Sequence, residues 1–278
     1  MKTIYFDNAA TTKVDEEVIK TMQPYFTEEY ANSSSKYATG VKAKEAVENA
    51  RKIIADKIGA KPSEIIFTSG GTESNNLALK GLFFANYPEK NHIITTKIEH
   101  DSILNTCKWL EKQGAKITYL NVDKDGFVNL NDIKKAITEK TFLVSIIHGN
   151  NEIGTIQDIE KIGKICLSLK VLFHIDACQS FTKSLININK QNLDLVTLNS
   201  HKIHGPKGVG ALYIREGTKI IPLLHGGGHQ WGLRSGTENV PGIVGFAKAV
   251  ELITSKDIDN MKKLRDMLIN GLLEINGT

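Results

Sequence analysis

Long apolar runs are missing: no stretch of the 278 residues approaches the roughly 18 that a membrane span needs, so a membrane-embedded chain is not expected. Cysteine is scarce. Cys107, Cys166 and Cys178 form an odd set without CxxC spacing, which argues against a disulfide framework or a structural zinc site. Cys107 and Cys166 fall in amphipathic helical patterns, "ILNTCKWLEKQ" and "IEKIGKICLSLK", and are expected to be buried and inert. An excess of one charge is also lacking. The 35 Lys and Arg residues are interleaved with 31 Asp and Glu, a net charge of +4, and this does not call for a nucleic-acid partner. The opening "MKTIYFDNAATT" has no apolar signal-peptide core, so a cytoplasmic location is the expectation. Repeats, low-complexity tracts and linkers are absent as well. What remains is the composition of an ordinary soluble globular chain, 41% hydrophobic and 24% charged, long enough for one large domain or one and a half.

Helical and strand periodicities alternate along this chain. "SSSKYATGVKAKEAVENARKIIADKIGA" opens with serines suited to a helix N-cap and carries a helical apolar stripe from Val41 to Ile58 that stops at Gly59. "EIIFTSG", "HIITT", "KITYLNV", "TFLVSIIH", "VLFHIDA", the run through Leu195–Leu198 and Val209–Ile214 read as strands. Helical patterns "TESNNLALKGLFFAN", "DSILNTCKWLEKQG", "LNDIKKAIT" and "IQDIEKIGKICLSLK" separate most of them, and a long helical pattern runs on from Val240. The expected fold class is therefore α/β, a mostly parallel seven-stranded sheet with helices on both faces.

Ligands of such sheets gather outside the carboxyl ends of the strands, and the chemistry-bearing residues lie there. "SGGTES" follows a strand and opens a helix. Gly70 and Gly71 let backbone approach an anion, helix-terminal N–H groups and the Thr72 hydroxyl donate to it, and the same turn also caps helices that bind nothing. It is not a Walker loop, since the Gly-Lys-Ser/Thr ending is absent. Asp176 ends the strand in "FHIDACQS", either as an N-cap or as a fixed charge facing a cationic ring nitrogen. His100 is either a polar loop residue or a flat ring stacked on another. Lys202 stands between two core strands in "TLNSHKIHGPKGVGALYIR", where burying an ammonium is costly; it is a solvated turn lysine or an amine held for chemistry. Taken together, these are the parts that hold pyridoxal 5′-phosphate (PLP): a phosphate cradle, a partner for the pyridinium nitrogen, a stacking ring and a Schiff-base lysine, with Asn151 and Gln179 as donors to the phenolic oxygen. "HKIH" and "HGGGH" offer His201, His204, His225 and His229 without acidic or cysteine partners at ligand spacing, so no metal is expected.

The blocks "YFDNAATT", "FTSGGTESNNLA", "IEHDSI", "LVSIIHGNNEIGTIQ", "FHIDACQS", "SHKIHGPKGVGALYIR" and "LLHGGGHQWGLRSGTENVPG" occur in order from Tyr5 to Gly245. With them the chain resembles the cysteine desulfurases of the NifS/IscS type, within the class V aminotransferases of PLP fold type I. The resemblance implies Lys202 as the Schiff-base lysine, His100 as the stacked histidine that moves protons, and Asp176 as the partner of the ring nitrogen. It implies Asn151 and Gln179 at the cofactor oxygen or substrate, and Gly71, Thr72, Ser200 and His201 at the phosphate and ring. Asn199 stands where the family usually has a phosphate-binding serine, and its amide still donates. Thr237 in "RSGT" corresponds to a residue that reaches a phosphate in the neighbouring subunit, which implies a homodimer.

Members of that family continue into a small domain that carries a catalytic cysteine loop and a carboxylate-binding arginine, and neither motif is found here. The expectation is an N-terminal segment at 1–15, a large PLP-binding domain at 16–245, and a helix at 246–278 leading to a small C-terminal domain that is largely absent, in a fragment or split form of the enzyme. The last helix is then expected to expose apolar surface. The implied reaction converts L-cysteine to L-alanine and passes sulfur to an acceptor or iron–sulfur scaffold protein. Alternatives are a non-catalytic PLP-binding scaffold subunit and a related lyase acting on selenocysteine.

Overall fold

The computed structural model describes residues 4–277, so residues 1–3 of the expected N-terminal segment lie outside it. Short β-branched and aromatic runs form the strands β1 (Ile65–Thr68), β2 (His92–Thr96), β3 (Lys116–Leu120), β4 (Thr141–Ile147), β5 (Leu172–Asp176), β6 (Leu195–Asn199) and β7 (Gly210–Ile214). They make one seven-stranded sheet in the order β1-β7-β6-β5-β4-β2-β3. All pairings are parallel except those of β7, which runs antiparallel to both β1 and β6. Strand β3, at one edge, is the least buried, whereas β4, β6 and β7 are buried throughout, as strands covered on both faces must be.

The helices are α1 (Glu16–Met22), α2 (Pro24–Thr27), α3 (Ala38–Ile58), α4 (Gly71–Asn86), α5 (Asp101–Glu111), α6 (Leu130–Ala136), α7 (Ile159–Ser168), α8 (Val240–Leu252) and α9 (Ser255–Leu273). Alternate residues of the strands divide between two cores. Phe67, Val144, Ile146, Phe173, Ile175, Val196 and Leu198 pack with α3, α7 and α8 on one side. Ile66, Leu143, Leu195 and Leu212 pack with α4 and α5 on the other. This is the period-two consequence of burying both faces of a pleated sheet.

Two local expectations are corrected. The serines do not cap α3: its N-cap is Tyr37, which makes no side-chain cap bond, and Ser33 instead donates to Glu238 at 2.7 Å. Ser33 thus spends its hydroxyl on a residue 205 positions away, in a turn that ends before the helix starts. The helical run from Val240 is two helices. Thr254 and Asp257 form a reciprocal capping box that starts α9 afresh, after α8 has ended at Leu252. Helix α8 buries Phe246, Ala249 and Val250 in the main core, whereas α9 has no buried residue and leaves Met267, Leu268 and Leu273 exposed. Among the described residues no helix is long and apolar enough to cross a membrane.

Candidate active site

Because β1, β2, β4, β5 and β6 all point the same way, their carboxyl ends share one edge of the sheet, and a cavity of about 910 Å³ opens there. It is lined by Gly71, Thr72, His100, Asn151, Asp176, Gln179, Asn199, His201 and Lys202, nine of the residues singled out from the sequence. Two others stand apart. Ser200 is fully buried behind this wall with its hydroxyl oxygen unpartnered, and Thr237 is exposed beside a smaller cavity of about 90 Å³ with Gly208 and Arg234. Ser69 and Gly208 bound the two cavities in common.

Helix α4 enters the site without a side-chain cap. The amides of Gly71, Thr72 and Glu73 have no acceptor among the described residues, so the positive end of the helix is bare toward the cavity. Close approach is enforced here: a Cβ on Gly71 would lie 2.5 Å from Cys178 Sγ and 3.4 Å from Asn199 Nδ2. The one acid in this first turn, Glu73, is drawn aside by Arg234 Nε at 2.9 Å and the Ser69 amide at 2.8 Å. Burial works against its charge, but these bonds outweigh it and keep the carboxyl below its ordinary range.

Asp176 ends β5 and is 3% exposed. Its Oδ1 accepts from the Cys178 amide at 2.9 Å and its Oδ2 from Asn75 Nδ2 at 2.7 Å, so it caps the turn that follows and still faces the cavity. His100 is the N-cap of α5, with Nδ1 turned to Ser102. His201 is held neutral, pushed down to about 4 by burial and then by the charges of Lys202 and Lys207.

Lys202 Nζ donates to the Ala10 carbonyl at 2.8 Å and to that of Ala9. Burial pulls its ammonium below the ordinary lysine range, more than the nearby acids raise it. The turn that carries it is pinned by the N-terminal segment: the Thr12 amide and hydroxyl donate to the His201 carbonyl at 3.0 and 2.8 Å, and the His204 amide donates to Thr12 Oγ1 at 2.8 Å. Gln179 Nε2 binds the Ala9 carbonyl at 2.8 Å, and Asn151 Nδ2 binds Glu152 at 2.6 Å.

Sequence inspection missed several members of this wall, among them Asp7, Ala9, Ala10, Thr11, Asn75 and Ser102. Asn75 had a usable signal, since it lies one helical turn after Gly71 and so on the same face of α4. The three cysteines are poor nucleophiles. Burial pushes the Cys107 and Cys166 thiols up to about 12, and burial followed by the Asp176 charge pushes Cys178 well up. Among the described residues no group of three or more His, Cys, Asp or Glu is placed to hold a metal ion.

The model of the family Aminotransferase class-V matches residues 4–277, so the chain belongs to that family. The chain belongs to the cysteine desulfurases within it. It is 52% identical to the cysteine desulfurase IscS of Methanosarcina thermophila over 280 residues, covering all of this chain and 69% of that protein. To the cysteine desulfurase IscS of Dictyoglomus turgidum it is 49% identical, covering 96% of this chain and 68% of that one. Among solved structures, a NifS-like protein superposes with a TM-score of 0.95 at 44% identity, covering 98% of this chain and 76% of its own. SspA in complex with cysteine superposes with a TM-score of 0.90 at 44% identity, covering 95% and 78%.

Proposed function

We propose that the cavity holds pyridoxal 5′-phosphate on Lys202 and that the chain carries the cofactor half of the conversion of L-cysteine to L-alanine with sulfur transfer. One observation carries this. Three unpartnered helix-terminal amides, a buried carboxylate, an imidazole ring and an ammonium depressed by burial line a single cavity. The residues fit the group. The amides of Gly71, Thr72 and Glu73 would take the phosphate, with Thr72, Asn199 and His201 as further donors and the buried Ser200 hydroxyl, still without a partner, behind them. Asp176 would face the ring nitrogen and His100 the ring, with Asn151 and Gln179 near the cofactor oxygen or the substrate.

When bound, the cofactor supplies an aldehyde for an amine and a cationic ring that draws electron density from the substrate. The chain's own residues prepare for that. Burial of Lys202 raises its fraction of free amine, which is the nucleophilic form and the form that takes a proton from substrate. The Asp176 carboxylate, fixed by two donors, would keep a ring nitrogen opposite it protonated. The thiolate that receives sulfur is not Cys107, Cys166 or Cys178, and we place it outside the described residues.

The proposed organisation keeps residues 1–15 as an N-terminal segment and 16–245 as the bulk of the cofactor-binding unit. Helix α8, which straddles that limit, packs against α1 and α3. We further propose a cytoplasmic homodimer in which Thr237 serves the partner subunit's phosphate, and an acceptor or iron–sulfur scaffold protein as the destination of the sulfur. The test is borohydride reduction of the protein incubated with pyridoxal phosphate, followed by peptide mapping. The label is expected on Lys202; a label on any other lysine overturns the assignment.

A further inference from the structure

A hydrogen-bonded chain runs through the wall of the cavity from Asp176 to His100, and every direction along it is fixed. Asp176 is buried, and its carboxylate only accepts. The amide nitrogen of Asn75 must therefore face it, and this nitrogen uses one hydrogen on Asp176 Oδ2 at 2.7 Å and the other on Ser102 Oγ at 2.8 Å. Ser102 Oγ lies 2.8 Å from His100 Nδ1 and donates its hydrogen there if that nitrogen carries a lone pair. The backbone amide of Ser102 also points at Nδ1, at 3.0 Å, and a backbone amide cannot accept. Nδ1 therefore presents its lone pair, and the ring proton of neutral His100 lies on Nε2.

The arrangement is held at a cost. Asn75 is 1% exposed and its Oδ1 has no partner, yet turning the amide over would set that oxygen against the carboxylate.

We propose that Asn75 and Ser102 are positioning residues that couple the Asp176 carboxylate to the His100 ring and hold that ring as its Nε2–H tautomer. The proposal rests on Asp176 and His100 being the groups that face the cofactor ring. His100 then enters the site as a hydrogen-bond donor at Nε2, and proton abstraction falls to Lys202.

The experiment is long-range ¹H–¹⁵N NMR of the histidine-labelled chain, without cofactor, at about pH 8, where an ordinary histidine is neutral. His100→Gln assigns the signals. The unsubstituted chain is expected to show an unprotonated Nδ1 and a protonated Nε2. Ser102→Ala is expected to shift the Nδ1 resonance and lower the Nε2–H population. Asn75→Ala, which removes hydrogen bonds to Asp176 and Ser102 and none to His100, is expected to shift the same resonance, and this shift should vanish in the Ser102→Ala background. A protonated Nδ1 in the unsubstituted chain overturns the proposal. So does a Ser102→Ala variant with unchanged His100 signals, or an Asn75→Ala effect of equal size in both backgrounds. If Asn75→Ala does not fold, the first two measurements decide alone. Titrating pyridoxal phosphate into the same sample separates the two ideas: the expected tautomer without cofactor binding sinks the cofactor assignment and leaves the network standing.

Discussion

Arg51 is the most consequential buried charge outside the cavity, and replacing it with methionine tests how the segment bearing Thr237 is held. The guanidinium is 2% exposed and lies over two rings, 4.8 Å from the Phe67 centroid and 4.5 Å from that of Trp231. Its Nη1 donates to the Ile65 carbonyl at 2.5 Å and to Gln230 Oε1 at 2.9 Å, and Nε reaches Glu48 at 3.2 Å. Gln230 and Trp231 both have left-handed backbone, with φ of 48° and 55°, so the loop is bent against preference and depends on these contacts. Arg51→Met keeps the aliphatic stem and removes two buried charge-assisted bonds, worth about 1.5–3 kcal/mol each. It also removes two cation–π contacts worth together about 1 kcal/mol or more. Set against the relief of no longer burying a charge, the net loss should be about 3 kcal/mol. At about 2–4 °C per kcal/mol for a chain of this size, Tm should fall by roughly 6–12 °C. Circular dichroism melts at one scan rate measure this, and the fluorescence of Trp231, one of only two tryptophans, reports whether the loop loosens with it. A Tm within about 2 °C of the parent, or a loosened protein with unchanged Trp231 emission, would refute the reasoning.

Three further outcomes follow from the buried titratable groups. Glu99 accepts from Thr96 and the Ile147 amide through Oε1, but its Oε2 is buried without a partner; burial, with Asp176 adding to it, pushes the carboxyl up to about 8. Between the ordinary 4.5 and about 8 the native protein keeps a proton that the unfolded chain has lost, so this group's contribution to stability falls as pH rises through that window. Glu99→Gln should therefore be more stable than the parent at about pH 8, with the gap closing near pH 5; urea titrations showing a constant gap would contradict this. For the cysteines, iodoacetamide at neutral pH should label none of the three quickly in the native protein, because none is a thiolate there. Sulfide release by the 278-residue chain should be unaffected by Cys178→Ser, and rapid alkylation of Cys178 or activity lost in that variant would contradict its reading as an unreactive thiol.

Much of this molecule is local enough to be read from the chain alone. Strands such as Thr141–Ile147 and helices such as Asp101–Glu111 declare themselves by period, because burying one face of a helix or both faces of a strand dictates where apolar residues recur. Gly71, Asp176 and Lys202 were legible for a related reason: a group at a strand's carboxyl end reaches the ligand edge wherever the strand itself sits in the sheet. Local pattern misjudged the serines before α3, whose hydroxyl serves a distant glutamate, and the break at Thr254, where a capping box outweighs a continuous apolar rhythm. The tertiary structure alone decided which partners meet. Asn75 binds Asp176 across 101 positions, Arg51 binds Gln230 across 179, and Lys202 finds the Ala9 carbonyl across 193. Periodicity records how strongly a residue favours burial, a property of its own side chain and its neighbours in the chain. A hydrogen bond depends on the distance and direction between two groups, and folding sets those only when the whole sheet has assembled.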